Sequence, residues 1–170
     1  MGQQHGKASC HVQLLKTLCL VAISIIEAGC STGATYVPTS ADRESIRKTD
    51  DAILAAFARG DVDGIMAFQH PDVAKALTFD RYLIGRDAVR EDLRGTLERF
   101  RLDFIQHRVE SLAVYGDSAV EQTVFTIKGT PRDGGAPFIF RGRAMVVYLR
   151  YKKSPTGWAS TREIIQPATR

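Results

Sequence analysis

The sequence predicts an α+β domain, helices first and an antiparallel sheet after them, behind an N-terminal export segment. Three observations carry this. Apolar spacing is mainly helical between about residues 40 and 100, and alternates in the manner of strands from residue 102 onward. Turn formers then punctuate the chain at "YGDS", "TPRDGGAP" and "KSPTG". All three cysteines, Cys10, Cys19 and Cys30, fall in the first thirty residues, so the domain itself has no thiol for a disulfide, a zinc–thiolate site or a cysteine nucleophile. A chain of 170 residues, 44% hydrophobic and 25% charged, is long and apolar enough for one domain with a full core. Its net charge of +4 is spread without like-charge blocks, so no nucleic-acid partner is predicted.

The first element is the leader. Lys7 and Lys16 precede "TLCLVAISII", Thr17–Ile26, and then "EAGCS". A basic start, a short apolar run and small residues fit a bacterial secretory signal. Ten residues of helix span about 15 Å, half of a bilayer core of roughly 30 Å. Export is therefore predicted in preference to a permanent transmembrane helix, and membrane contact only through the signal or a lipid anchor. "AGC", Ala28–Cys30, resembles a lipoprotein box in which Cys30 becomes the acylated first residue, although Glu27 stands where that box usually has leucine. The expected division is a signal at 1–29, a tether at 30–40 rich in small polar residues, and a domain at 41–167. The localisation expected is periplasmic or membrane-anchored, with a cytoplasmic protein as the alternative.

The first helix starts near Ser40 or Asp42, with Thr39, Ser40 and Asp42 all credible caps, and runs to Arg59. Ile46, Ile53, Leu54 and Phe57 share its inner face, and Gly60 stands where a left-handed residue commonly ends a helix. Phe57–Asp72, "FARGDVDGIMAFQHPD", then gathers three aspartates and a histidine. Spacing argues against a calcium loop: counted from Asp61, Gly64 falls at position four rather than six, and Ile65 occupies a ligand position. Asp61 instead caps a short second helix with Val62, Ile65 and Met66. Asp63 sits in that helix's first turn, and His70-Pro71-Asp72 turns the chain. No metal site is predicted.

Val73–Phe79 and Arg81–Ile84 read as short extended pieces. Gly85–Phe100 reads as a third helix with Ala88, Val89, Leu93 and Leu97 inward. Its Arg86, Arg90 and Arg94 recur at i, i+4 and interleave with Asp87, Glu91 and Glu98, which predicts a solvated face of weak ion pairs. Leu102–Tyr115, Ser118–Gly129, Phe138–Lys152 and Trp158–Gln166 form a four-strand meander, with Trp158 anchoring the last strand in the core.

The ordered set "AAFARGDVDGI", "IGRDAVRE", "VYGDSAV", "RGRAMVVYLR" and the late "GW", spanning Asp42 to about Pro167, resembles the NTF2-like superfamily, specifically its SnoaL-like or DUF4440-type members. The resemblance implies a curved sheet wrapped by three helices into a cone. It also implies a ligand cavity in that cone and pairing as a homodimer through the sheet. The isomerase site known in that superfamily does not carry over. Its helix-one tyrosine falls at Ile53, its base aspartate near Leu77 or Thr78, and its protonated aspartate at Val147. An isomerase needs a carboxylate to move the proton and donors to hold the enolate, so steroid-isomerase chemistry is not predicted. The histidine and serine frequent on the last strand of DUF4440-type members fall at Ile164 and Gln166.

The same resemblance assigns cavity-facing positions: Glu121, Thr123, Phe125 and Ile127 on one strand, Arg143, Met145, Val147 and Leu149 on the next, and Arg162, Ile164 and Gln166 on the last. Two arginines with a glutamate suit an anionic or polar small molecule, or an internal ion pair at the rim. Asp50 shares the stripe of Ile46, Ile53 and Phe57. His107 is the acid–base candidate among strand residues, since imidazole as a class titrates near neutrality. The candidate ligand-binding residues are thus Asp50, His107, Glu121, Thr123, Arg143, Arg162 and Gln166, with no catalytic residue singled out. No phosphate loop, dinucleotide fingerprint or G-x-S-x-G motif occurs, so no cofactor is predicted. Three functions stay open. One is a ligand-binding module. Another is an isomerase, cyclase or dehydratase using Asp50, His107 or Glu121 as base. The third is an envelope interaction protein whose cone is plugged by Phe125, Met145 and Leu149.

Overall fold

A computed structural model describes residues 39–168. They belong to the compact unit Tyr36–Arg170. The export segment, Cys30 and the tether as far as residue 38 lie outside the described residues.

Helix α1 spans Ser40–Arg59. Thr39 is its N-cap: the Thr39 hydroxyl accepts the Asp42 N–H at 3.2 Å, and the Asp42 carboxylate accepts the Thr39 N–H at 3.3 Å. This reciprocal arrangement satisfies two otherwise orphaned donors. Gly60 ends the helix at φ 68°, where a side chain would be strained. Helix α2, Val62–Met66, is capped by Asp61, which accepts the Gly64 N–H at 2.8 Å. A Cβ on Gly64 would lie 2.4 Å from Asp61 Oδ2, so a side chain there would make the capping carboxylate shift. Asp63 pairs with Arg90, and His70 Nδ1 accepts the Asp72 N–H at 3.2 Å while its ring meets Tyr151 edge-on. Each charged group of "FARGDVDGIMAFQHPD" therefore has a local structural partner.

Strands β1 (Gln69–Thr78) and β2 (Arg81–Ile84) precede helix α3 (Arg86–Arg99), and β3 (Phe100–Tyr115), β4 (Ser118–Pro131), β5 (Phe138–Arg150) and β6 (Trp158–Pro167) follow it. Along α3, Val89, Leu93 and Leu97 are buried, whereas Ala88 is exposed rather than inward. Of the basic stripe, Arg90 reaches Asp63, Arg94 reaches Glu91, and Arg86 donates to the Gln69 carbonyl.

The four late strands form the expected antiparallel meander. The sheet is wider than a meander, however: its order is β2-β1-β6-β5-β4-β3. The two short extended pieces belong to it, and β1 runs parallel to β6. The physical reason is that β6 would otherwise present an unpaired ladder of N–H and C=O groups, which β1 satisfies. Periodicity reports faces, not partners, so this pairing is silent in the sequence. Pro71, which has no N–H, falls where the β1–β6 register shifts between Gln69 and Ala74. Further bulges interrupt β3 between Phe104 and Gln106 and between Val109 and Ser111, and the β5–β6 pair at Val147/Tyr148. Bulges bend strands and sharpen their twist, and so curve the sheet.

Two apolar clusters hold the layers together. Ala56, Ile65, Met66, Val73, Val89, Leu93 and Leu97 pack where the three helices meet β1. Ile46, Val114, Ala119, Tyr148 and Trp158 pack α1 onto the late strands. Trp158 is 1% exposed, with the Arg150 guanidinium 4.5 Å over its ring. Fully buried side chains such as Ile46 and Val73 contribute roughly 1.5–3 kcal/mol each.

Candidate functional site

A cavity of about 410 Å³ lies between α1, α3 and the inner face of the sheet. Its wall combines aliphatic side chains with a row of phenylalanines. Phe57 and Phe104 meet at 5.4 Å between ring centroids, Phe104 and Phe125 at 6.2 Å, and Phe125 and Phe140 at 5.7 Å.

Strand register decides which side chains face this space. On β4, Glu121, Thr123, Phe125 and Ile127 line it, as expected. Opposite Glu121 and Thr123 on β5 stand Val146 and Ala144, and cross-strand partners share a face. Ala144, Val146 and Tyr148 therefore line the cavity. Arg143, Met145, Val147 and Leu149 belong to the other face. On β6, Ile165 and Glu163 oppose Ala144 and Val146; the bulge then skips Thr161 and sets Ser160 beside Tyr148. Arg162, Ile164 and Gln166 accordingly face away.

Four of the seven candidate residues thus reach the cavity: Asp50, His107, Glu121 and Thr123. Three do not. Arg143 pairs with Glu110 at 2.7 Å on the outer face. Arg162 donates to the Asp72 carbonyl at 2.6 Å. Gln166 lies with Gln106 and Arg141 along a shallow depression of the outer face. The cause is the two-fold period of a strand: it sorts residues into two sets, and one slip exchanges the sets. For the same reason Met145 and Leu149 do not plug the cone, and Val147 is not the inward position on β5. Ile53, Leu77 and Thr78 do line the cavity, but none is a carboxylate or tyrosine.

The carboxyl groups arrive from other positions. Asp50 projects from α1 and is 9% exposed; Glu121 comes from β4 and is 1% exposed. Tyr148 Oη donates to Asp50 Oδ1 at 2.5 Å, and the Asp50 and Glu121 carboxyl groups lie close enough to perturb one another. Two carboxyls side by side in an apolar wall cannot both ionise. Burial first, and the Asp50 charge second, push Glu121 up to about 9. Burial also raises Asp50, opposed by the hydrogen bonds from Glu121 and Tyr148 and by the pull of His107. Burial holds Tyr148 well above its ordinary range, with the Asp50 charge adding to it. At neutral pH, then, Glu121 carries a proton that an exposed glutamate would release. Asp50 Oδ2 is buried without a hydrogen-bond partner. His107 lines the same wall, edge-on to Phe104 at 6.5 Å.

Sequence reasoning missed Tyr148, Gln69, Ser160 and the ion pair Lys75–Glu163, 2.5 Å apart on facing β1 and β6 positions. Tyr148 left a signal. In "FIFRGRAMVVYLR" the set Phe138, Phe140, Gly142, Ala144, Val146 and Tyr148 carries no charge before the terminal Arg150, while the alternate set carries Arg141 and Arg143. Gln69, Ser160 and Lys75 left none, because the β1–β6 pairing is not local. Among the described residues no group of three His, Cys, Asp or Glu side chains is placed to hold a metal ion.

The SnoaL-like domain family profile matches residues 51–151. Among solved structures, a conserved protein from Planctomyces limnophilus is 22% identical with a TM-score of 0.68, covering 76% of this chain and 100% of its own. A ketosteroid isomerase-like protein from Erwinia carotovora atroseptica is 16% identical with a TM-score of 0.63, covering 75% and 96%. An NTF2-like superfamily protein from Salmonella enterica is 16% identical with a TM-score of 0.62, covering 75% and 92%. At these identities the likeness is one of fold. No curated protein matches the chain.

Proposed function

This chain belongs to the SnoaL-like domain family, within the NTF2-like superfamily, and we propose that it is an exported protein holding a small, largely apolar organic molecule in its cone. The observation that carries the reading is the cavity itself: about 410 Å³, walled mainly by aliphatic and phenylalanine side chains, with Lys75 paired to Glu163 and Arg81 to Asp92 among its charged groups. That combination of apolar wall and few convergent polar groups is how small-molecule sites are built. Export rests on the leader "TLCLVAISII" and tethering on Cys30. Pairing of two chains through the outer sheet face is supported by Met145 and Ile164, which are cross-strand neighbours 42% and 58% exposed. In sedimentation the wild type is then a dimer, and Met145→Glu with Ile164→Glu a monomer; a monomeric wild type would remove that part of the proposal.

A second reading is favoured by the Asp50–Glu121 pair. A proton held on a carboxyl group in an apolar wall is a common preparation for acid–base chemistry. In that reading the protein is a cofactor-independent isomerase, cyclase or dehydratase. Asp50 takes a proton from the ligand, and His107 returns one at another atom.

Native mass spectrometry of the full-length chain taken from its producing cells tests the primary reading. The expected result is a small organic molecule that leaves on denaturation. A chain that carries nothing from the cell and binds none of the aromatic probes named below would refute it.

A further inference from the structure

We propose that one end of this cavity is a polar subsite that selects a neutral oxygen function on the ligand, a hydroxyl or a carbonyl, and rejects a carboxylate or phosphate. The proposal rests on the ligand-holding function above and names the chemical class that this site takes.

The argument starts from register. Gln69 on β1 faces Ser160 on β6, and Ser160 faces Tyr148 on β5. One rung of three neighbouring strands therefore presents an amide, a hydroxyl and a phenol, and all three residues line the cavity. Asp50 bonds to the phenol, and Glu121 lies against Asp50. The rung is buried: Gln69 is 1% exposed, and Ser160 and Tyr148 are each 2% exposed.

Two atoms of this rung, Gln69 Oε1 and Ser160 Oγ, have no hydrogen-bond partner. A buried polar atom left unpaired costs on the order of 1–3 kcal/mol. Native proteins rarely leave such atoms empty-handed. Here they stand on facing positions of adjacent strands, and together they offer one hydroxyl donor and one carbonyl acceptor. A ligand hydroxyl satisfies both, because it accepts from Ser160 and donates to Gln69. A ligand carbonyl satisfies Ser160 alone.

Charge completes the selection. The cations that line the cavity are engaged elsewhere. Lys75 is paired with Glu163, and Arg81 with Asp92 and Thr96. Arg99 donates to the Gly95 carbonyl and lies over the Phe100 ring. His107 is the remaining basic side chain of the lining among the described residues, and it acts on Asp50. An anion entering this end would be stripped of water beside the Asp50 and Glu121 carboxyl groups with no uncommitted lysine or arginine of the lining to pair it, and an unpaired buried charge is costly.

The test compares three probes with one ring system: naphthalene, 2-naphthol and 2-naphthoate, titrated calorimetrically into the full chain at neutral pH. 2-Naphthol is expected to bind about tenfold tighter than naphthalene, the worth of one net hydrogen bond, and 2-naphthoate more weakly than naphthalene. Ser160→Ala should reduce the preference for 2-naphthol over naphthalene, the bond to Gln69 remaining, and leave naphthalene unchanged; an undiminished preference would overturn the role of Ser160. Equal affinities for naphthalene and 2-naphthol in the wild type, or tighter binding of 2-naphthoate, overturn the subsite while leaving the ligand-holding function intact. Failure of all three probes to bind overturns the subsite, and joined with a chain that carries nothing from the cell it overturns the ligand-holding function too.

Discussion

Replacing Glu121 by glutamine removes the titrating proton but keeps a donor. The amide fills the same volume and offers an N–H to Asp50 where the protonated carboxyl offers its O–H. In the folded wild type Glu121 is pushed up to about 9 from an ordinary 4.5, by burial first and by the Asp50 charge second. The folded chain therefore holds a proton that the unfolded chain releases throughout that interval. A raised value gives its full stabilisation below the unfolded pKa and loses it as pH climbs toward the folded one. One proton taken up on folding gives a slope of about 1.4 kcal/mol per pH unit. Between pH 5 and pH 7 the wild type should thus lose about 2–3 kcal/mol, a large share of the typical 5–15 kcal/mol total. Asp50, also raised by burial, acts with the same sign. Urea unfolding of both proteins at pH 5, 6, 7 and 8 reads the slopes directly. Glu121→Gln should be flatter than the wild type by about 1.4 kcal/mol per pH unit and gain on it steadily as pH rises. Parallel curves would show that Glu121 carries no proton in the folded state and would refute the reasoning.

Other predictions follow from single contacts. Tyr148→Phe strips the donor from Asp50 Oδ1; the loss in chemical unfolding should be about 1–3 kcal/mol. No measurable loss would deny that hydrogen bond any weight. Thr39→Ala breaks the reciprocal cap of α1 and should cost about 1 kcal/mol, read as a Tm lower by several degrees; an unchanged Tm would deny that cap any weight. Cys30→Ser should move the protein from the membrane fraction to the soluble fraction and remove acyl mass from its mature N-terminus. Identical fractionation and mass for both chains would eliminate the lipid anchor.

The parts of this molecule legible in the sequence are those set by local rules. Gly60 and Asp61 read correctly because a left-handed terminator and an N-cap are properties of a few adjacent residues. The inner set on β4 came out in the right phase, with Glu121 and Thr123 among it. On β5 and β6 the phase slipped, and it carried Arg143, Arg162 and Gln166 to the wrong face. Alternation fixes which residues share a face but not which face is inside. On β5 the two arginines of the odd-numbered set were the clue to the outside. On β6 the bulge at Thr161 changes phase within the strand, so Ser160 and Glu163 both face in although their numbers differ in parity. The rung Gln69–Ser160–Tyr148 needs a parallel partnership between residues some ninety positions apart, and no local pattern reports that. The acid pair was half legible: Asp50 and Glu121 were both candidates, but their contact depends on how α1 lies over β4.

The most direct test is a carbon-13 titration of the side-chain carboxyl carbons, with Glu121 assigned by its absence from the Glu121→Gln spectrum. The result predicted is a Glu121 signal that keeps its protonated shift through pH 7 and changes only as pH nears about 9. A Glu121 signal that moves near 4.5, in step with the exposed glutamates, would contradict the shared proton against which this cavity is built.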